Sequence, residues 1–408
     1  MRILYLHQFF TTRDGAGGTR SYEHARHLVS CGHEVVMVTA GGAAAGGSAG
    51  PRRRVVDGID VREVRGASAD YATATARGYA ARSAGFAAFA AGATAAALRA
   101  PAPDVVLATS PPLTIALPAI AAARARRAPL VFEVRDLWPE APIQMGALPS
   151  PPVRAAARAL ARRTYAAAAH VVALSPGMRE GVLAAGVAPE RVTVIPNGSD
   201  LDLFSPDLDP GDLRARLGVA RGAFLCSYFG TMGEANDLTQ VLEAAALLRD
   251  RGRGEREIAF VLQGEGKRRL ALEAEIQRRE LRNVVLRRAG DKRSAAALAA
   301  ASDACLTIFK DVPILATNSP NKLFDSFAAG RPAIVNTGGW QRDLVQRHGA
   351  GLAARAGDPA DLATQVERLA DDRALAARLG AGARRLAEEQ FDRRVLAERL
   401  RGVLEAVV

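Results

Sequence analysis

Short apolar runs rich in Val, Leu, Ile and Phe alternate with stretches of helical period along most of the chain. In the first half, RILYLHQ (2–8), EVVMVTA (34–40), VVLATS (105–110), LVFEV (130–134), HVVALS (170–175) and VTVIP (192–196) read as strands. Such near-continuous apolarity marks strands buried on both faces, as parallel strands are when helices cover both sides of a sheet. Helices are predicted over 19–31, stopped by Gly32, and over 113–127 and 151–168; Asp57-Gly58 predicts a hairpin turn. The second half repeats the scheme, with strands at 224–230, 257–264, 283–290, 304–309 and 332–337 and helices at 237–252, 267–281, 293–302 and 320–330. Two such series predict an α/β chain of two doubly wound, parallel-sheet domains.

The stretch PNGSDLDLFSPDLDPGDL (196–213) has no periodicity and is rich in Pro, Asp and Gly, so the break between domains falls there. The expected division is 1–197, 198–385, and a last helical piece, 386–408, packing back on the first domain. GGAAAGGSAGPRRR (41–54) reads as a low-complexity loop.

Composition adds direction to this picture. The 408 residues exceed one ordinary core. Of the net charge of +11, nearly all sits in the first half, where residues 1–198 carry 22 arginines, no lysine and 13 carboxylates. That excess suits an anionic partner: a membrane surface, a phosphate-bearing acceptor or nucleic acid. Aromatics at 5% without basic–aromatic interleaving argue against nucleic acid. Arg154, Arg158 and Arg162, with Arg163 beside them, form a stripe on helix 151–168 suited to peripheral membrane docking; an ordinary solvated face is the alternative. The uncharged run Gly85–Leu98 is too short to cross a bilayer. With MRILYLHQFF opening directly as a strand and three scattered cysteines, the expectation is a reduced, cytoplasmic chain, peripheral at most to the inner face of a membrane.

Candidate chemistry gathers where predicted strands end, the usual ligand edge of open α/β sheets. No catalytic triad, HExxH or Cys–His zinc spacing occurs, so no metal or cofactor is expected. FFTTRDGAGGTR places Gly15, Gly17 and Gly18 before a helix, a backbone able to approach an anion. VFEVRDLWPE crowds Arg135, Asp136 and Trp138 at one strand end, with an Arg135–Asp136 ion pair and a packing plug as the structural alternative. Thr231, Asn236 and Gly264 lie in two further loops. In NSPNKLFD, Ser319 is expected to cap a helix, with Pro320 in its first position. Lys322 and the free N–H groups then suit a diphosphate, and Asp325, three residues on, suits a ribose diol; an exposed ion pair between the two is the alternative.

Together, MRILYLHQFF…GG, GHEVVMVTA (32–40), RDLWPE (135–140), VVALSPGM (171–178), VIPNGSDLDLF (194–204) and SPNKLFDSFAAGRPAI (319–334) resemble the retaining GT-B glycosyltransferases of family 4, in the branch that builds bacterial surface polysaccharides. The resemblance implies a GT-B fold, a nucleotide-sugar donor (UDP-sugar favoured over GDP-sugar) held by the second domain, and a lipid-linked or soluble acceptor on the first. Implied for the donor are Gly17, Gly18, Thr231, Asn236, Gly264, Asn318, Ser319, Asn321, Lys322 and Asp325. Arg135 and Trp138 are expected at the acceptor, and Asp136 and Lys322 in catalysis. The chain departs from the family where Thr317 and Asp325 stand in a Glu-x7-Glu pattern, where Thr231 and Asn236 replace a common Arg and Lys, and where Arg135 precedes Asp136 in place of histidine. A natural-product (antibiotic) glycosyltransferase, a sugar-nucleotide epimerase or phosphorylase, and a basic membrane-binding module are the competing readings.

Overall fold

A computed structural model describes residues 1–15, 17–41, 52–64, 79–148, 150–253 and 257–408; the centre of the low-complexity insertion lies outside them. The first sheet has eight strands: β1 (Arg2–Leu6), β2 (Glu34–Ala40), β3 (Arg52–Val56), β4 (Ile59–Val64), β5 (Val105–Thr109), β6 (Leu130–Val134), β7 (His170–Ala173) and β8 (Val192–Val194). Their spatial order is β3-β4-β2-β1-β5-β6-β7-β8, parallel except for the β3–β4 hairpin around Asp57-Gly58. The second sheet contains β9 (Phe224–Phe229), β10 (Ile258–Gln263), β11 (Val284–Arg287), β12 (Ala304–Thr307), β13 (Ala333–Val335) and β14 (Gly351–Ala353). Its order is β11-β10-β9-β12-β13-β14, all parallel. This is the two-sheet GT-B arrangement.

In each sheet the chain winds outward from the first strand and then returns to its other side, so the direction reverses between β1 and β5 and between β9 and β12. Ligands bind at such reversals, outside the carboxyl ends of the strands. Both reversals feed the loops described below.

The helix Arg393–Ala406 ends the chain but packs on the first sheet: Leu396, Leu400 and Leu404 join Ile3, Tyr5 and Met37 in one buried cluster. The linker is tied to the segment entering that helix, as Ser199 N donates to Phe391 O (3.0 Å) and Arg393 N to Ser199 O (3.1 Å). The helix Tyr79–Leu98, which the sequence showed only as an alanine-rich run, contributes Phe89, Ala93 and Ala97 to the core of the first domain. No helix of the described residues is long and apolar enough to cross a membrane.

Candidate active site

Four strand ends meet the start of one helix. His7 follows β1, Arg135 follows β6, Gly230 follows β9 and Phe309 lies just beyond β12. Opposite them begins the helix Asn321–Ala328, whose apolar face (Leu323, Phe324, Phe327) is fully buried and fixes its angle. Ser319 does not cap this helix. Pro320, in extended conformation, holds the N-cap position without a side-chain bond. Ser319 instead reaches the linker: its Oγ accepts from Asn197 N (3.0 Å) and its carbonyl from Asn197 Nδ2 (2.5 Å). The first turn therefore keeps N–H groups without a side-chain cap, the arrangement that attracts anions at helix starts.

Lys322 and Asp325 do not pair, and they serve different purposes. Lys322 Nζ donates to Tyr228 Oη (2.8 Å) and lies 4.2 Å and 5.4 Å from the ring centroids of Tyr228 and Phe309. With the Asn236 amide turned so that both its ends are satisfied, its Oδ1 accepts from Lys322 Nζ (3.1 Å) and its Nδ2 donates to Thr231 O (2.7 Å). Among the described residues no carboxylate lies within ion-pairing distance of this ammonium. Aromatic faces and dipoles alone hold it, and burial pulls its pKa down from 10.5 to about 7.

Asp325 is buried (3% exposed), and both its oxygens are taken: Oδ2 by Lys292 Nζ (2.9 Å) and Oδ1 by Ser199 Oγ (2.7 Å). This contact locks the helix to the linker and to the helix Lys292–Ala301, with one bond already made at each carboxylate oxygen.

On the facing side, Arg135 Nη1 bonds His7 Nε2 (3.2 Å) and forms no ion pair among the described residues. A Cβ placed on Gly18 would lie 3.1 Å from Asn321 Nδ2 and 3.4 Å from Arg135 Nη2, so a side chain here would have to push these two side-chain ends slightly aside. Arg135 is thus set beside Gly18, which also faces Asn321 at the start of helix Asn321–Ala328. Asp136 forms no side-chain hydrogen bond among the described residues; burial raises its pKa to about 6 while Arg135 pulls the other way. The Arg135–Asp136 sequence neighbours therefore differ in role. Trp138 is half-buried against the apolar cluster of the first domain, which Phe309, Ile314 and Leu315 also join.

The remaining candidates divide. Gly17 and Gly18 border the cleft, with Gly17 against Thr11. Thr231 is exposed, and its carbonyl accepts from Tyr228 Oη (2.6 Å). At Gly264 a Cβ would lie 1.9 Å from Gly230 O, so its small size lets two loops pack together. The Asn318 carbonyl accepts from Trp340 Nε1 (2.9 Å) and Gln341 Nε2 (3.0 Å), bracing the segment before the helix. Thr317, in the place of a family glutamate, sits at the domain contact, where its carbonyl accepts from Ser175 Oγ (2.5 Å). Sequence reasoning missed His7 and Tyr228. Each lies in or directly after an apolar strand, where a lone polar residue looks like filler of the core.

Away from the cleft, His27, Cys31 and Glu398 bring three potential metal ligands within 4.8 Å of one another, but both oxygens of Glu398 are gripped by Arg401. The arginine stripe is also thinner than the sequence implied. Arg158 pairs with Glu140 (2.8 Å) and Arg154 bonds Leu148 O (2.6 Å), leaving Arg162 and Arg163 exposed without partners among the described residues.

A cleft between two doubly wound domains is lined by cations that lack carboxylate partners among the described residues, a setting suited to an anionic ligand. Comparison with known proteins agrees. The sequence model of the "Glycosyl transferase 4-like domain" matches residues 15–198, and that of "Glycosyl transferases group 1" matches residues 223–372. The chain belongs to this glycosyltransferase family, the family 4 that its motifs resemble. Curated relatives in Escherichia coli include WcaI of strain K12, named as a colanic acid biosynthesis glycosyl transferase (33% identical, covering 28% of this chain and 28% of the relative). A second is named as a UDP-Gal:alpha-D-GlcNAc-diphosphoundecaprenol alpha-1,3-galactosyltransferase (25% identical, 46% and 48% covered). The chain therefore spans less than half the length of the curated relatives it matches. Among solved structures, HepE of Anabaena in complex with UDP-glucose superposes over 100% of both chains with a TM-score of 0.73 at 20% identity. Sucrose-phosphate synthase of Thermosynechococcus elongatus gives a TM-score of 0.77 at 17% identity, covering 99% of this chain and 98% of its own. These two show a shared fold.

Proposed function

We propose that the protein moves a sugar, with retention of configuration, from a UDP-sugar to a hydroxyl of a lipid-linked glycan acceptor. The observation that carries this reading is the pair of cations at the uncapped start of helix Asn321–Ala328, Arg135 beside Gly18 and Lys322 beside Gly230, neither with a carboxylate in ion-pairing distance among the described residues. A diphosphate supplies the missing negative charge and accepts from the free N–H groups. The UDP-sugars printed for the galactosyltransferase relative and for the solved HepE complex support uridine as the base, and the diphosphoundecaprenol in the former's name supports a lipid-linked acceptor. Residues 198–385 carry the donor on this reading and residues 1–197 the acceptor, with 386–408 fastening the two. The unpartnered Arg162 and Arg163 suit contact with an anionic membrane at its cytoplasmic face.

In the reaction the acceptor oxygen bonds to the anomeric carbon on the face from which the bond to the phosphate oxygen breaks. The hydroxyl proton passes to the departing phosphate, so no protein nucleophile is needed. Lys322, Arg135 and the helix start stabilise the charge that develops there, and Asp136 orients the acceptor hydroxyl. A thermal-shift panel of UDP-, GDP-, ADP- and dTDP-sugars tests the donor: UDP-sugars at about 100 times their dissociation constant stabilise the fold by about 2.7 kcal/mol. A shift with another base and none with UDP overturns the assignment of uridine. Sedimentation with anionic vesicles at low salt tests the membrane contact, which absence of binding removes.

The depressed pKa of Lys322 gives a pH dependence with a definite sign. The free ammonium is half neutral near pH 7, whereas a bound diphosphate favours its charged form, so binding takes up a proton above that pH. Affinity for UDP is expected to fall as pH rises from 7.5 to 8.5, by up to about tenfold, and calorimetry in buffers of different ionisation enthalpy should detect the proton uptake. A flat profile would show that Lys322 does not meet the phosphates.

A further inference from the structure

His7 closes β1, is 2% exposed and is bonded at both ring nitrogens: Nδ1 to Ser21 Oγ (2.7 Å) and Nε2 to Arg135 Nη1 (3.2 Å). A guanidinium only donates, so Nε2 must present its lone pair and the ring proton must sit on Nδ1, donating to Ser21. Burial, and secondly the Arg135 charge, hold the ring well below its usual pKa, which agrees with a single neutral tautomer.

Arg135 is otherwise free to choose among many rotamers, since its side chain meets no carboxylate within ion-pairing distance among the described residues. We infer that His7 is a positioning residue: its Nε2 lone pair aims the Arg135 guanidinium at the space beside Gly18 and Asn321 before any ligand arrives. The choice of imidazole has a physical reason. A carboxylate in this position would aim the guanidinium equally well but would also consume its charge. A neutral acceptor fixes the direction without adding a counter-charge against the guanidinium. The Ser21 hydroxyl, 1% exposed on the first helix, completes the device by selecting the tautomer. The inference rests on the reading that a nucleoside diphosphate occupies this cleft.

Two substitutions separate the two ring nitrogens. His7→Gln sets an amide oxygen near the place of Nε2, keeping an acceptor for Arg135. His7→Asn sets an amide nitrogen near the place of Nδ1, keeping the donor to Ser21 and losing the acceptor. UDP affinity, measured by calorimetry on folded protein, is expected to fall about tenfold in His7→Asn and to recover to within about threefold of wild type in His7→Gln. In an Arg135→Ala background both substitutions should lose their effect, because their only route to the ligand is gone. If the His7 variants do not fold, Ser21→Ala carries the same readout, with about a threefold loss that also vanishes in Arg135→Ala. Equal losses in His7→Asn and His7→Gln, or losses that persist without Arg135, would overturn the positioning role. Failure of the underlying site is distinguishable: there Lys322→Met also leaves UDP affinity unchanged, whereas loss of affinity in Lys322→Met with none in His7→Asn overturns the inference alone.

Discussion

Replacing Lys322 by methionine is expected to lower kcat/KM for the nucleotide-sugar donor by about 10²–10³-fold. Methionine keeps the apolar stem against the rings of Tyr228 and Phe309 and removes only the charged end. Its cost in stability should be small, since the site already penalises the charged form, to the point that the pKa stands near 7. A cation kept where burial disfavours it, without a carboxylate partner, is placed for a ligand and not for the fold. The expected signature is therefore a large kinetic loss with a melting temperature within a few degrees of wild type. Retained turnover would place the diphosphate elsewhere.

The opposite signature is expected at Asp325. Substitution by alanine leaves the Lys292 ammonium, 7% exposed, buried without its counter-charge, and also frees Ser199 from the linker contact. Breaking a buried pair in this way costs about 3–5 kcal/mol, which for a domain of this size lowers the melting temperature by about 10 °C. Replacing both partners, as Lys292→Met with Asp325→Leu, should restore most of that loss, because two apolar groups leave no stranded charge. Thermal denaturation of the ligand-free protein is the measurement. An unchanged melting temperature combined with lost nucleotide binding would return Asp325 to the ribose.

The contrast between these neighbours shows what the sequence can and cannot express. The strands were legible because burial on both faces writes continuous apolar runs, and helix Asn321–Ala328 because its Leu323, Phe324 and Phe327 repeat at helical spacing. The charged residues on the same helix were readable as present but not as assigned. A spacing of three suggested that Lys322 and Asp325 share a face, whereas their partners come from Tyr228 and Asn236 on one side and from Lys292 and Ser199 on the other. Those pairings depend on how two sheets are set against each other, which no local period records. The same limit hid His7, which looks like one more residue of a buried strand until Arg135 arrives from 128 positions away. Gly264 shows the same limit: a glycine that admits a ligand and one that admits the neighbouring Gly230 loop look the same in sequence.

The central claim, that this cleft binds the diphosphate of the donor through Lys322, is tested most directly by titrating UDP and uridine separately into wild type and Lys322→Met. In wild type UDP should bind at least about 100-fold more tightly than uridine, since charge-assisted bonds to the phosphates are worth about 1.5–3 kcal/mol each. In Lys322→Met the advantage of UDP should shrink by about tenfold or more, while uridine binds as before. Equal loss of UDP and uridine binding, or an unchanged preference for UDP, would contradict the account.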